Sequence, residues 1–335
     1  MKYKINKIAD NIMRSAQLAA ALEVGGWPKP GNVHRTVDFV DTRFEHFISG
    51  AIALGPPVRK AAVNGMRAGQ GKIQINDIKI GKHIKESVIE VKRWHKGGNT
   101  HLGISLLFIP LAAAAGMTSL KKNDIESNCL RENVINIMKN TTSKDAMDVY
   151  DAIRLASSAA LGRLDKEKAP DLLDSESKNE LAEQGISLYD VMKISSKWDN
   201  VAKEWASGMD ICFNTGSRTI IEVYNKTHDI NIAIVHTFLT ILSTFPDTFI
   251  ARKIGTKETP YIAKAVEIGI KKIEWITETA RQVLKIGGLT TEHGRKAIFD
   301  FDSKLQSANG EYNPGTSADL TAGSLMIAFL FGFRF

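Results

Sequence analysis

Four short blocks rich in glycine, proline, asparagine and charged residues stand at the ends of apolar stretches in this sequence. The ends of helices leave backbone N–H and C=O groups without partners inside the helix, so loops at these ends are suited to binding a ligand. The blocks are residues 27–35 (WPKPGNVHR), 97–103 (GGNTHLG), 245–253 (FPDTFIARK) and, as a fourth block in two parts, 299–306 and 313–320 (FDFDSKLQ and NPGTSADL). Together they are the candidate site.

The first block contains two prolines, which fix the backbone, and Gly31, which permits a positive φ. A loop held in this way can direct Lys29, His34 and Arg35 toward an anion, with Glu23 shortly upstream. The same residues also fit a rigid turn between helices. Taken alone, this block leaves both interpretations open.

The second block runs directly into an apolar segment. Glycine-rich backbone at a helix N-terminus offers free N–H groups and the positive end of the helix dipole to an anion, so Gly98, Asn99 and Thr100 are candidate ligand-binding residues. The spacing differs from that of a P-loop. His101 is compatible with a helix-start histidine, a metal ligand or a general acid.

The third block follows the apolar segment 230–245 and exposes an acid five residues before an arginine. Asp247 and Arg252 can form a surface ion pair, which stabilises little, or can share a metal-bound polyphosphate.

The fourth block places Asp300, Asp302 and Asp319 around a helix start that contains glycine. Carboxylates at loop–helix junctions favour Mg²⁺ over zinc, because Mg²⁺ takes few carboxylates, keeps water and bridges phosphate oxygens. The sequence therefore predicts a magnesium site formed by Asp247 and Asp319. Ser317 is predicted to cap the helix that follows.

The elements that must position these blocks are predicted to be helices. Apolar residues recur at helical spacing in 8–19 and 84–94, and the long apolar segments are 102–116, 230–245 and 318–331. Thr142 and Asp145 have the spacing of a capping box, which predicts a helix to about Ser157.

One all-α domain is predicted over residues 1–335, since no repeat or low-complexity linker divides the chain. Alternating isoleucines allow one exception, a minor β-hairpin near residues 73–80. The charged segment 166–179, interrupted by Pro170, is predicted to be a mobile surface insertion.

Composition excludes several classes of protein. Hydrophobic residues at 43% and charged residues at 24% are values of globular chains, not of disordered ones. The apolar segments are shorter than the ~20 residues that a spanning helix needs, so no membrane partner is predicted. Cys129 and Cys212 form no metal-binding motif and no signal-peptide pattern is visible, which favours the cytoplasm.

Lysine and arginine number 44 against 37 aspartates and glutamates, a net charge of +7 that suits an anionic partner. The lysines are dispersed and aromatic residues make up only 7% of the chain, which disfavours nucleic acid. A polyphosphate substrate is the better explanation. The sequence leaves a homo-oligomer open.

In order and wording, the four blocks resemble the TPKPGLVDR-type, NTHKG-type, DTNVASR-type and SPGGSADL-type motifs of triphosphoribosyl-dephospho-CoA synthases. The resemblance extends from Glu23 to about Leu330. It implies an all-α, ATP-dependent triphosphoribosyl transferase of coenzyme biosynthesis. The ribose C1 of ATP is attacked by an acceptor hydroxyl, the 2′-hydroxyl of dephospho-CoA, and adenine leaves.

This reaction requires an acid for the departing base, a base for the acceptor proton, and Mg²⁺ with cations for the triphosphate. The residues assigned to catalysis are Glu23, His101, Asp300 and Asp319. Those assigned to ATP binding are Lys29, Gly31, His34, Arg35, Gly98, Asn99, Thr100, Arg252 and Ser317, with Asp247 and Asp319 on the metal.

Two departures from the family pattern leave alternatives open. His34 stands where the family usually has aspartate, and no acidic GEAEAG-type segment lies between the second and third blocks. The same donor chemistry on a ribitol-bearing pterin precursor of tetrahydromethanopterin biosynthesis is therefore one alternative. A catalytically silent, nucleotide-binding helical protein is another.

Overall fold

The computed structural model describes residues 2–119, 127–156, 162–164 and 170–335, and within these ranges helices form the regular structure. The α-helices are α1 (Lys2–Gly25), α2 (Phe44–Ala53), α3 (Gly55–Gly69), α4 (Ile80–Trp94), α5 (Leu102–Thr118), α6 (Ser127–Lys139), α7 (Ser143–Ala156), α8 (Ser177–Glu183), α9 (Leu188–Ser195), α10 (Asn200–Ser207), α11 (Ser217–Thr227), α12 (Ile230–Thr244), α13 (Thr248–Gly255), α14 (Ile262–Lys285), α15 (Glu292–Gln306) and α16 (Gly315–Leu330). Short 3₁₀-helices span Ile75–Ile78 and Gly288–Thr290, and a π-helix spans Ile211–Gly216. The all-α prediction is confirmed.

The predicted β-hairpin at 73–80 is wrong. Residues 75–78 form a 3₁₀ turn, and Lys79, at φ 62°, leads from it into α4. This turn buries Ile78 and Ile80 in the core, while Ile73 and Ile75 before it are only partly buried. Within the described ranges, the β pairing amounts to isolated bridges between His34 and Val37 and between Arg163 and Tyr261.

A first hydrophobic cluster surrounds α5, whose residues from Ile104 to Thr118 are all buried. Close approach of α3 explains two glycines in this cluster. A side chain at Gly65 would overlap the carbonyl of Ala113, and one at Gly116 would overlap that of Ala62. Small residues therefore let the two backbones touch, and α5 forms the centre of the N-terminal half.

A second cluster packs α12, α13, α14 and α15 together around residues such as Phe238 and Ile276. Helix α12 borders both clusters, since Ile234 and Ile241 belong to the first while Val235 and Phe238 belong to the second. Most of α12 is therefore buried, and a half-buried face with Ile232, His236 and Thr240 remains. The N-terminus of α16 lies at the same junction, where Ala318 joins the second cluster and Leu320 the first.

The local helix signals are partly confirmed. Thr142 and Asp145 form the predicted capping box, with the Thr142 N–H donating to Asp145 Oδ2 at 2.8 Å and the Asp145 N–H to Thr142 Oγ1 at 3.3 Å. Helix α16 begins at Gly315, so Ser317 lies inside its first turn and is not its cap. Trp94, counted with the apolar face of α4, is 68% exposed because it ends the helix.

In the described part of the chain, no single helix has both the length and the apolar character to cross a membrane, although α12 and α13, bent by 51°, reach that threshold as a pair. Of the predicted insertion 166–179, residues 166–169 lie outside the described residues, and its C-terminal part begins α8. The assignment of residues 1–335 to one domain stays a prediction.

Candidate active site

A pocket of about 760 Å³ lies where the C-terminal end of α1, the loop 37–42 and the N-terminal ends of α5, α13 and α16 meet. All four blocks or their neighbours contribute to it. Of the residues assigned from sequence, those that line the pocket are Glu23, Gly98, Asn99, Thr100, Arg252 and Asp319.

Asp319, in the first turns of α16, reaches from the pocket wall to the N-terminus of α5. Its carboxyl group lies against the Cα of Gly103, where any side chain would overlap it. Burial raises the pKa of Asp319 well above its usual range, the negative charges of Glu23, Asp247 and Asp199 raise it further, and the Ile104 backbone N–H lowers it. Asp319 is therefore an acid that keeps its proton more firmly than an ordinary aspartate.

Glu23 lies on the pocket wall at the end of α1 and forms a buried ion pair with Lys29. Lys29 is fully buried and also donates to Asn32 Oδ1 at 2.9 Å. Burial raises the pKa of Glu23 and lowers that of Lys29, while their mutual attraction opposes both shifts. Lys29 thus does not reach a ligand directly, but it supplies the positive charge that balances Glu23.

Arg252 and Lys253 bring two cations to the pocket from α13. Both lie over the ring of Phe249, at 5.4 and 4.4 Å from its centroid. Arg252 Nη1 is 3.9 Å from Asp199 Oδ2, and its Nε is buried with no hydrogen-bond partner among the described residues. An unsatisfied buried donor at a pocket wall is suited to an anionic ligand.

Asp247 is fully buried and does not line the pocket. Its Oδ1 accepts from the N–H groups of Phe249 and Ile250, at 3.0 and 3.1 Å, and its Oδ2 accepts from the N–H and the hydroxyl of Ser317, at 2.7 and 2.8 Å. These four bonds occupy the carboxylate. Asp247 and Ser317 thus join the third block to the fourth, and neither lines the pocket. The assignment of Asp247 to a metal and of Ser317 to ATP stays a prediction.

Three assigned residues of the first block form hydrogen bonds outside the pocket lining. Gly31, at φ +75°, donates its N–H to Asp302 Oδ1 at 3.0 Å, and His34 Nε2 lies 3.1 Å from Asp302 Oδ2. Arg35 is exposed and bonds the carbonyl of Gly25 at the end of α1. None of these three assigned residues lines the pocket, so the structure does not support a direct contact with ATP.

The loop of the first block instead orients two pocket residues of the fourth block that were not assigned individually from sequence. The Asn32 side chain donates to Asn313 Oδ1 at 2.8 Å, and Gln306 donates to the Asn32 carbonyl at 2.9 Å. Asn313 and Gln306 both line the pocket.

Asp300 is exposed on α15 and lies outside the pocket lining, so the structure does not bring it to the other residues assigned to catalysis that line the pocket. Asp302, two residues further along the same helix, faces inward and holds the first block. The DFD pattern predicts carboxylates at the pocket, but neither side chain lines it. Asp300 lies on the exposed side of α15, and Asp302 is bonded to the loop of the first block.

The second block holds a directed chain of hydrogen bonds. His95 Nδ1 accepts the N–H of Gly97 at 3.1 Å, so a neutral His95 carries its proton on Nε2 and donates it to Thr100 Oγ1, 3.2 Å away. The Thr100 Oγ1 is also 2.7 Å from His101 Nδ1. Burial lowers the pKa of His101 to about 3, so its ring is neutral, and a hydroxyl proton donated to Nδ1 would leave the ring proton on Nε2. His101 does not line this pocket.

Other charged residues of the pocket were missed from sequence. Asp199 caps α10 by accepting from the Ala202 N–H at 2.9 Å, and its position directly before a helix is the signal that identifies it. Lys253 follows Arg252 in the third block and was passed over for its neighbour. Asp38 and Asp41 come from a loop without helical periodicity, which gave no signal.

The described residues offer few side chains that could bind a metal ion in the absence of substrate. Within the described ranges, no group of three or more histidine, cysteine or carboxylate side chains is arranged to hold a metal ion. Mg²⁺ that binds with a polyphosphate needs only one or two carboxylates. Asp199, beside Arg252, fits that smaller requirement.

The pocket lies where four helix ends meet, and its lining includes buried carboxyl groups and two cations. A site of this kind in a helical protein is suited to a phosphorylated ligand. Residues 9–333 match the family described as ATP:dephospho-CoA triphosphoribosyl transferase, and the chain belongs to this family. The protein is accordingly a transferase that uses ATP, and the resemblance of the four blocks is confirmed.

Among solved structures, a crystal structure of a candidate triphosphoribosyl-dephospho-CoA synthase from Archaeoglobus fulgidus is similar in fold, with a TM-score of 0.57. The two are 24% identical, and the similarity covers 86% of this chain and 100% of that one. At this identity the likeness concerns the fold alone. None of the curated proteins compared with this chain matches it.

Proposed function

We propose that this pocket transfers the triphosphoribosyl group of ATP to the 2′-hydroxyl of dephospho-CoA and releases adenine. The observation that carries the proposal is the unequal environment of two carboxyl groups in one pocket, Asp319 and Glu23. Burial raises the pKa of both groups, but Lys29 opposes the rise at Glu23, whereas neighbouring carboxylates add to the rise at Asp319. Carboxyl groups in such different environments are suited to separate acid and base roles.

Among the described residues, Glu23 forms an ion pair with Lys29, whereas Asp319 forms no ion pair. Lys29 favours the charged form of Glu23 against the effect of burial, and three carboxylates near Asp319 favour its protonated form. Asp319 is then the acid that protonates the departing adenine, and Glu23 is the base that accepts the acceptor proton. The C1–N bond of the ribose breaks, the C1–O bond to the acceptor forms, and one proton is given and one taken.

The two cations of α13 are the natural place for the triphosphate. Arg252 has a free Nε and Lys253 lies beside it on the ring of Phe249. Asp199, adjacent to Arg252, would hold Mg²⁺ together with the phosphate oxygens. Bound there, Mg²⁺ neutralises part of the phosphate charge. The apolar side of the pocket, which includes Leu106 and Ile153, suits the adenine ring.

The test is to incubate the protein with ATP, Mg²⁺ and dephospho-CoA and to measure free adenine by chromatography and the product by mass spectrometry. We expect adenine release only with acceptor present, and a loss of at least hundredfold for both Asp319→Asn and Glu23→Gln. Asp300→Asn is the matched control, since Asp300 is exposed outside the pocket.

A parallel incubation with a ribitol-bearing pterin precursor tests the other acceptor. Adenine release with that compound alone would replace dephospho-CoA in the proposal. ATP binding without release of adenine by either acceptor would favour a silent nucleotide-binding protein.

A further inference from the structure

A second cavity, of about 370 Å³, adjoins the pocket along the second block. Gly98, Asn99, Thr100 and Leu102 line both spaces. The other walls of the second cavity come from α4 and the C-terminal end of α7. One loop therefore serves as a shared wall.

The two spaces differ in charge. The described residues that line the second cavity include Lys92, Lys96 and Arg154 and no carboxylate. The main pocket is lined by two cations and five carboxylates, which are Glu23, Asp38, Asp41, Asp199 and Asp319. An anion is thus favoured in the second cavity by charge alone, without a metal.

A buried donor also lines the second cavity. His101 is 2% exposed, and its proton lies on Nε2 when His95 donates to the Thr100 hydroxyl and that hydroxyl donates to His101 Nδ1. That Nε2 has no partner among the described residues. A buried N–H held in one tautomer and left unsatisfied is costly to the protein alone, and a ligand oxygen would satisfy it.

We infer that the second cavity binds a second phosphate chain, with Lys92 and Lys96 as its cations and His101 Nε2 as its buried donor. The source of that chain rests on the proposed function. The two substrates bring a triphosphate and a diphosphate, and two chains of the same charge repel when they share one pocket. With the triphosphate on Arg252 and Lys253, the diphosphate of dephospho-CoA belongs in the second cavity.

The first measurement uses inorganic pyrophosphate as the probe, titrated calorimetrically into the full-length protein. Lys92→Ala with Lys96→Ala should weaken its binding roughly tenfold or more, the loss expected for a charge-assisted contact. Both lysines are exposed, so the variant keeps its fold. Lys264→Ala with Lys271→Ala, on α14 and outside both cavities, is the matched control and should bind as the wild type does.

The second measurement tests the donor. In ¹⁵N-edited spectra the Nε2–H of His101 should shift when pyrophosphate is added, and should not shift in the Lys92→Ala, Lys96→Ala variant. The proposed subsite would be overturned if the variant bound pyrophosphate as tightly as the wild type. It would also be overturned if the His101 resonance of the wild type did not shift when pyrophosphate is added.

Steady-state kinetics then identify the source. We expect the double variant to raise KM for dephospho-CoA about tenfold and to leave KM for ATP within twofold, whereas Arg252→Ala does the reverse. A rise in KM for ATP alone would assign the subsite to the donor. Because pyrophosphate binding needs no turnover, normal binding without adenine release would reject the proposed reaction and leave the subsite intact.

Discussion

At the scale of single residues, the site depends on the contact between Gly103 and Asp319. The three atoms nearest to a side chain added at this glycine all belong to the carboxyl group of Asp319. A methyl group there would push the carboxyl away from the N-terminus of α5, where the Ile104 N–H stabilises its charged form.

Gly103→Ala should therefore lower turnover about a hundredfold or more while circular dichroism stays helical, because a misplaced catalytic group costs on this order. Gly25→Ala is the control, since a side chain there meets open space. Wild-type turnover in Gly103→Ala would mean that the position of Asp319 is unimportant.

Arg252 should carry a large share of the ATP affinity. Arg252→Ala is expected to weaken ATP binding by about 1.5–3 kcal/mol, the range of a charge-assisted hydrogen bond, as measured by calorimetry. Arg35→Ala should change ATP affinity little, because that guanidinium bonds Gly25 outside the pocket. Equal losses in both variants would point to long-range charge and not to contact.

Asp319 is expected to support activity and, at neutral pH, to lower the free energy of unfolding. Its pKa is higher in the folded protein than in the unfolded chain, so the folded state binds more protons and stability falls as pH rises above the unfolded-state pKa. Turnover should also fall as pH rises through the folded-state pKa. Asp319→Asn should therefore melt at a higher temperature than the wild type at pH 7 while being inactive.

The advantage of Asp319→Asn should shrink toward low pH, where the wild-type carboxyl is protonated in both states. Thermal unfolding followed between pH 4 and pH 8 measures this. A constant difference in melting temperature across that range would contradict the raised pKa.

At the scale of elements, Asp247 joins two helices. It caps α13 and holds the first turn of α16 through Ser317, so Asp247→Ala should lower the free energy of unfolding by about 2–4 kcal/mol, from a lost cap and a buried partner left unpaired. Asp229→Ala removes an exposed cap from α12 and should cost about 0.5–2 kcal/mol. Chemical denaturation separates the two. Equal costs would mean that the bridge to α16 contributes nothing.

The elements were largely predictable and the pairing of residues was not. The helix at Leu102 and the capping box at Thr142 follow from local spacing, which the chain contains within one or two turns. The hydrogen bond from Ser317 to Asp247 joins residues 70 positions apart. No local sequence pattern shows which carboxylate will accept hydrogen bonds from the end of another helix. The same reason applies to Asp300 and Asp302, because the orientation of α15 in the fold decides that Asp302 is buried and Asp300 exposed.

At the scale of the whole molecule, residues in or near the four blocks line the pocket, yet four of its seven charged lining residues were not assigned from sequence. Asp38 and Asp41 come from an irregular loop, and only the packing of that loop on the second block brings them to the site, with the Gly98 N–H bonded to the Asp41 carbonyl at 2.9 Å. The conformation of such a loop depends on contacts between residues distant in sequence. The loop's conformation therefore cannot be predicted from composition.

Helix α12, buried on one side by each hydrophobic cluster, makes the two halves cooperative. Neither half can open without exposing a face of α12, so partial unfolding is costly and the chain should melt in one transition. Amide hydrogen exchange should then be slowest in α12 and equal to the rate of global unfolding, while α8 and α9 exchange sooner through local opening. The pocket lies on this junction, and a substitution far out in either half that loosens α12 will therefore change how long the whole site survives.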